Sequence, residues 1–254
     1  MRIKKVIERK LDFSIDSQLT FSFLGMFILI VAVSSFINFI FIGNILKNNY
    51  ESNSIQQFKQ YDYNINTFGD RVDLTSRQLV FDAYLQEITT SYANLQENER
   101  VSLAAEAFHS FSKVLGDFNY IDSIIYYSTN GLVLRCTPSK NEIISDRNAE
   151  KDIFSSKELE HIINMSKSKL MWLGGYSAND FNIGMDKNTG KDLKQAYYLS
   201  AARAIYSGSQ SGVLVININM DYFTSIYNFS GDEENYKSYI IDSSGTILSH
   251  WDNS

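Results

Sequence analysis

A chain of 254 residues, 44% hydrophobic and 20% charged, is long enough for one large domain or two small ones. One proline argues against a proline-rich linker, and one cysteine excludes an intrachain disulfide framework or a thiolate metal cluster. The net charge of −6 is uneven: Arg2, Lys4, Lys5, Arg9 and Lys10 face Glu8, Asp12 and Asp16, so this stub carries about +2 and the remainder about −8, with no basic patch for a nucleic-acid backbone.

Leu19 to Ile42 contains no charged residue, and Asn38 is its only strongly polar member. As a helix of roughly 24 residues it would be about 36 Å long, enough to cross a bilayer with some tilt. It is too long for the apolar core of a cleaved leader, and Phe39-Ile40-Phe41-Ile42 offers no small-residue cleavage site. A soluble helix would rarely be apolar on every face for that distance. With five basic residues before the span and Lys47 and Lys59 the nearest after it, the stub is expected in the cytoplasm and residues after about 44 outside the cell membrane.

A polar stretch follows. Phe58, Tyr61, Ile65, Phe68 and Val72, then Leu85, Ile88, Tyr92 and Leu95, form a narrow helical stripe with a phase shift between the blocks. The stripe either packs on its own domain or forms a dimer seam. Gly69 weakens the helix locally. A second helix is expected from near Asn98, with Val101, Ala104, Ala105, Phe108, Phe111 and Leu115 on one face and Gly116 at its end. The period then becomes that of strands. Ile121–Tyr127 and Leu132–Thr137 flank an Asn130-Gly131 turn, and Cys136 reads as a buried small apolar residue.

The segment from Asn141 to Lys167 is mixed, with a helical piece around Leu159, Ile162, Ile163 and Met165. Lys169–Leu173 reads as a short strand ended by Gly174-Gly175. Ala196–Tyr206 and Gly212–Asn219 read as long strands joined by Ser207–Ser211, after which Asp221 would cap a short helix reaching Phe229. Tyr236–Ile241 and Thr246–His250 form a last hairpin, whose pattern Ile240 to Leu248 aligns without gaps on Tyr126 to Leu134. Two sheet lobes in tandem are therefore expected.

Nothing in the chain points to catalysis. His109, His161 and His250 are far apart and lack metal-ligand spacing, and Gly208-Ser209-Gln210-Ser211-Gly212 lacks the Lys-Ser/Thr of a phosphate loop. Asp232-Glu233-Glu234 reads as a solvated connector. No cofactor, metal or catalytic residue is expected.

The order of elements, with Gly212-Val213-Leu214-Val215-Ile216-Asn217-Ile218-Asn219, Tyr222-Phe223-Thr224-Ser225-Ile226 and Tyr239-Ile240-Ile241-Asp242-Ser243-Ser244-Gly245-Thr246-Ile247-Leu248-Ser249-His250, resembles the extracellular double Cache sensor of bacterial receptors, most closely Gram-positive sensor histidine kinases. The resemblance implies an α+β, PAS-like fold: a cytoplasmic stub at 1–18, a transmembrane helix at 19–43, an outward helical stalk at 44–116, a membrane-distal Cache lobe at 117–230 and the start of a truncated proximal lobe at 231–254. The parent would continue through a second membrane helix and a linker to its output. That output is expected to be a histidine kinase. The alternatives are a chemotaxis receptor, a diguanylate cyclase, a membrane-bound transcription regulator, or a tethered binding module complete in itself.

The partners implied are a small extracellular solute such as a sugar or organic acid, the lipid bilayer and a second copy of the chain. Amino-acid-binding members carry Arg-x-Trp-Tyr, whereas this chain reads Lys169-Leu170-Met171-Trp172-Leu173. For the solute site, Trp172 and Tyr176 supply flat stacking surfaces beside Gly174-Gly175. Asp180 supplies an acceptor, and Arg203 a fork for a carboxylate or phosphate.

Overall fold

The computed structural model describes residues 15–144, 154, 156–166, 169–178, 180, 181, 183, 197–227, 239–241 and 247–250. The basic stub before residue 15, Phe229, the acidic connector 232–234 and the turn of the last hairpin lie outside them. The chain divides into two compact units, residues 1–60 and 61–254.

The first unit contains the greater part of helix α1, Ile15–Val80. Its apolar stretch is long enough to cross a membrane, and Phe23, Phe27, Ile37 and Phe41 each stand more than half exposed. Such a surface is stable only in an apolar solvent.

The second unit is a sheet between two apolar clusters. Its elements are the end of α1, α2 (Ala83–Ser91), a 3-10 turn, α3 (Glu97–Asp117), β1 (Ile121–Ser128), β2 (Val133–Thr137), β3 (Lys140–Ile144) and α4 (Ser156–Ser166). After these come β4 (Met171–Ser177), β5 (Tyr197–Ser207), β6 (Gln210–Asn219), α5 (Met220–Tyr227), β7 (Tyr239–Ile241) and β8 (Ile247–His250). Among the described residues the main sheet has six antiparallel strands in the order β3-β2-β1-β6-β5-β4, and β7 pairs with β8 separately. The fold is therefore α+β, as expected, with β3 as a strand beyond those anticipated.

The phase shift in the helical stripe is a break. Asp82 stands extended between α1 and α2, and its Oδ1 accepts from the backbone N–H groups of Tyr84 and Leu85 at 3.0 and 3.1 Å. Its other oxygen accepts from the Ser110 hydroxyl at 2.8 Å, tying the break to α3. Phe68, Val72, Leu79, Leu85 and Ile88 are all buried against the sheet side of this layer. The face of α3 is turned from the expected one. Leu103, Ala104, Ala107, Phe108 and Phe111 are buried, Leu115 is half-buried, and Val101 and Ala105 are exposed. Stepping 1, 3, 1 and 3 follows the helical period as well as the expected pattern does, so the partner layer decided which edge faces inward.

Strand alternation separates the two clusters. Ile124, Tyr126, Leu134, Ala201, Leu214 and Ile216 face the α1–α3 layer. Ile125, Tyr127, Val133, Ala202, Ala204 and Val215 face the other side, where Phe154, Phe181 and the α4 residues Leu159, Ile162 and Ile163 cover them.

Two glycines are required. Gly131 has φ of 90°, which the turn between β1 and β2 needs. At Gly212 a Cβ would lie 2.5 Å from the Tyr126 ring and 2.7 Å from the Tyr127 carbonyl oxygen, so only hydrogen fits there. This close approach leaves Tyr126 free to reach α2, where its hydroxyl donates to Thr89 at 2.9 Å.

Two local expectations are corrected. The strand near Trp172 does not end at Gly174-Gly175: β4 runs on to Ser177 through a register shift between Leu173 and Tyr176. The short helix α5 is capped by Asn219, whose Oδ1 accepts from the Tyr222 N–H at 3.1 Å, and Asp221 lies in its exposed first turn. The last hairpin lies against β4 and α5, with Ile240 packed on the cluster beneath α1–α3. Cys136 is buried, and burial pushes its thiol up, opposed by a hydrogen bond with Ser112.

Candidate functional site

Trp172 and Arg203 lie on the helix side of the sheet. Trp172 pairs in register with Ala201 and stacks on Phe68 of α1 at 6.4 Å between ring centroids. Arg203 is buried, donates from Nε to the Ser76 hydroxyl at 2.9 Å, and pairs its Nη2 with Asp73. Asp73 also holds Arg77 at 2.6 Å. Burial lowers the Arg203 pKa, and Asp73 opposes it. Both expected ligand residues thus bind α1 to the sheet.

Tyr176 lies on the other side. Leu173 pairs with Ser200 and Tyr176 with Tyr198, three residues on β4 against two on β5, so one extra residue is inserted at Gly174-Gly175. Without the insertion Trp172 and Tyr176 would share a face, being four apart in a period of two. Tyr176 packs edge-on against Phe154 and Phe181 at 5.8 and 5.7 Å. Asp180 stands exposed in the next turn, where its Oδ2 accepts from the N–H and hydroxyl of Ser177 at 2.6 and 2.7 Å. The structure therefore brings together Trp172 with Arg203, and Tyr176 with the turn that holds Asp180, but not the two pairs.

The face with Tyr176 carries buried polar groups that sequence reasoning passed over. Ser123 on β1, Asn217 on β6 and Ser200 on β5 lie side by side in register, each fully buried. Ser200 donates to the Asn217 carbonyl oxygen at 2.7 Å, and the Asn217 amide donates to Ser123 at 2.9 Å. Beside Ser200 and on the same face is Tyr198, also fully buried, whose hydroxyl has no hydrogen-bond partner among the described residues. Burial first, and then the Asp122 charge, raises its pKa, so the hydroxyl is protonated and is a donor. A register shift between Ile121 and Ser123 re-aims Asp122, which accepts from the Asn219 amide at 3.2 Å. A signal for these residues was present: Ser200 and Asn217 occupy inward positions of strands that are otherwise apolar.

A polar row amid Tyr176, Tyr198, Phe154 and Phe181 has the composition of a small-solute site, with a few convergent polar groups among aromatic walls. It offers hydrogen-bond donors and acceptors and stacking faces.

No family model and no curated protein matches the chain. Solved structures do. A domain from Vibrio parahaemolyticus assigned to a sensory box/GGDEF family protein is similar with a TM-score of 0.51 at 14% identity, covering 79% of this chain and 71% of that one. The sensory domain of the Campylobacter jejuni chemoreceptor Tlp3 (CcmL), with isoleucine bound, is similar at 15% identity over 79% of this chain and 71% of that one, with a TM-score of 0.49. The extracellular domain of a protein assigned as a histidine kinase, vpHK1S-Z8, is similar at 14% identity over 72% of this chain and 62% of that one, with a TM-score of 0.49. At such identities the likeness concerns the fold alone, a mixed arrangement of helices and antiparallel sheet.

Proposed function

We propose that this chain is the solute-sensing and membrane-anchoring input of a bacterial two-component receptor. Its basic stub is cytoplasmic, the apolar part of α1 spans the bilayer, and residues after about 44 face outward. A histidine kinase is the output in the family the sequence resembles, and a homodimer is its working form. The solute binds on the α4-covered face of the sheet, at Ser123, Asn217, Ser200 and Tyr198, with Tyr176 as a wall and Asp180 at the rim. The observation that carries this placement is the Tyr198 hydroxyl, fully buried and without a hydrogen-bond partner among the described residues, at the end of a buried polar row. An unmade buried hydrogen bond costs about 1–3 kcal/mol, which a hydroxyl- or carbonyl-bearing solute would recover.

Transmission has a simple physical route within the second unit. The solute side and the α1 side are two faces of one sheet, and Arg203 and Trp172 fasten that sheet to α1. A solute that prefers one arrangement of β5 and β4 shifts the balance of α1 positions by no more than its difference in affinity for the two states.

The test is thermal stabilisation of the full chain in lipid nanodiscs by a panel of sugars, organic acids and amino acids. A solute at 100 times its Kd stabilises by about 2.7 kcal/mol, a shift of several degrees. Asn217→Leu should abolish the shift and leave the circular dichroism unchanged. Absence of any shift across the panel, or an equal shift in Asn217→Leu, overturns the proposal.

A further inference from the structure

On the same α4-covered face, one strand beyond β1, stands a cation that the packing of α1–α3 does not use. Arg135 of β2 pairs in register with Ile125 of β1 and with Glu142 of β3, and Val133, two residues before it, belongs to the cluster that α4 covers. Arg135 is only 5% exposed. Its Nη1 donates to Glu142 Oε2 at 2.8 Å, while its Nε–H is fully buried with no hydrogen-bond partner among the described residues. Glu142 is shared, since its Oε1 pairs with Lys140. Two cations therefore divide one carboxylate, and of the two it is the buried one whose donors are incompletely met.

A guanidinium is a planar fork. The arm that reaches Glu142 leaves the Nε edge as a second pair of parallel N–H directions, the side-on geometry that accepts both oxygens of a carboxylate. Leaving such a charge short of partners away from water is costly, more so than for a neutral group. Lys140 is well exposed, and water meets its needs. Arg135 has no such recourse at Nε. The neutral row at Ser123, Asn217 and Ser200 lies on the same face, with Ser123 two residues along β1 from the Ile125 that pairs with Arg135. One small molecule carrying a carboxylate and a hydroxyl or carbonyl group has the chemistry to meet both.

We infer that Arg135 is the anion-recognising residue of the solute site, and that the solute class is a small organic acid whose carboxylate docks on the Nε edge of Arg135. This rests on the placement of the site on the α4-covered face. It also moves the anion-binding role from Arg203, which is engaged with α1, to a residue on the opposite face.

The probes are acetate and lactate, each paired with its amide, titrated calorimetrically into the full chain in nanodiscs at constant ionic strength. Lactate should bind saturably, and lactamide about tenfold or more weakly, the scale of a charge-assisted hydrogen bond. Arg135→Gln should erase the difference between acid and amide. Because that variant places a neutral group beside Glu142, Glu142→Gln is the independent check. It leaves Arg135 without its competing carboxylate, so lactate should bind several-fold more tightly. Equal binding of acid and amide, or unchanged or weaker lactate binding in Glu142→Gln, overturns the inference. If the neutral amides and sugars bind and depend on Asn217 while the acids gain nothing, the anion role fails and the site stands. If no probe of either kind binds, both fail.

Discussion

Replacing Asp73 by alanine and replacing Arg203 by methionine should cost different amounts, although each breaks the same ion pair. The Arg203 side chain is 5% exposed and that of Asp73 28%. Asp73→Ala leaves a buried guanidinium with the Ser76 hydroxyl but without its carboxylate, and removing one partner from a buried charge costs about 3–5 kcal/mol. Arg203→Met fills much of the same volume with apolar atoms. It leaves a part-exposed carboxylate that keeps Arg77 at 2.6 Å, so about 1–2 kcal/mol is expected. The double variant should resemble Arg203→Met, so the coupling energy in the cycle should equal the cost of Asp73→Ala alone, about 3–5 kcal/mol. Urea unfolding followed by fluorescence checks this, because Trp172 stacks on Phe68 and reports the seating of α1 on the sheet. With m near 2 kcal/mol per molar, the midpoints of the two single variants should differ by about 1 M. Equal midpoints, or a lower one for Arg203→Met, would refute the claim that burial of the guanidinium dominates this contact.

Gly212→Ala places a methyl 2.7 Å from the Tyr127 carbonyl oxygen, which is fixed in the β1–β6 ladder, so unfolding measurements should show a loss of about 1–3 kcal/mol; a neutral result would mean that β6 can slide away from β1. Burial works to raise the Glu142 carboxyl, but the hydrogen bonds and charges of Lys140 and Arg135 outweigh it and hold it below the usual carboxylate range. A depressed folded value stabilises the fold above the unfolded value of about 4.3 and is lost as pH falls through the folded one. Glu142→Gln should therefore flatten the acid limb of a stability–pH curve, and superimposable acid limbs count against the ion pair. Ser209 is exposed in the β5–β6 turn, so Ser209→Cys should react with a membrane-impermeant thiol reagent on intact cells; labelling only after lysis reverses the proposed orientation.

The turn at Asn130-Gly131, the strands from Ile121, Gly212 and the long apolar helix were readable because each depends on neighbours in the chain. Positive φ, a period of two and an unbroken uncharged run are properties of a few consecutive residues. The break at Asp82 was visible only as a slip in spacing, since the hydroxyl that fixes it, Ser110, comes from another helix. The exposed Val101 shows the same limit: two helical faces were nearly equivalent in sequence, and the sheet selected one.

The candidate site was legible in part. Aromatic residues near Gly174-Gly175 were recognised, but whether two glycines end a strand or insert a residue into it depends on the pairing strand. That insertion put Trp172 and Tyr176 on opposite faces. Arg203 was singled out as a solute-binding fork, yet its carboxylate, Asp73, is 130 residues earlier and enters only because α1 lies across β5. The sequence alone determined the long apolar helix, the helix-then-sheet order and the alternation that gives each strand two faces, all set by local dihedrals and solvent preference. The tertiary structure decided what each face meets, so that Arg203 holds a helix while Arg135 retains an unmet donor. Such partners depend on pairings between distant segments, which burial and hydrogen bonding settle only once the sheet has formed.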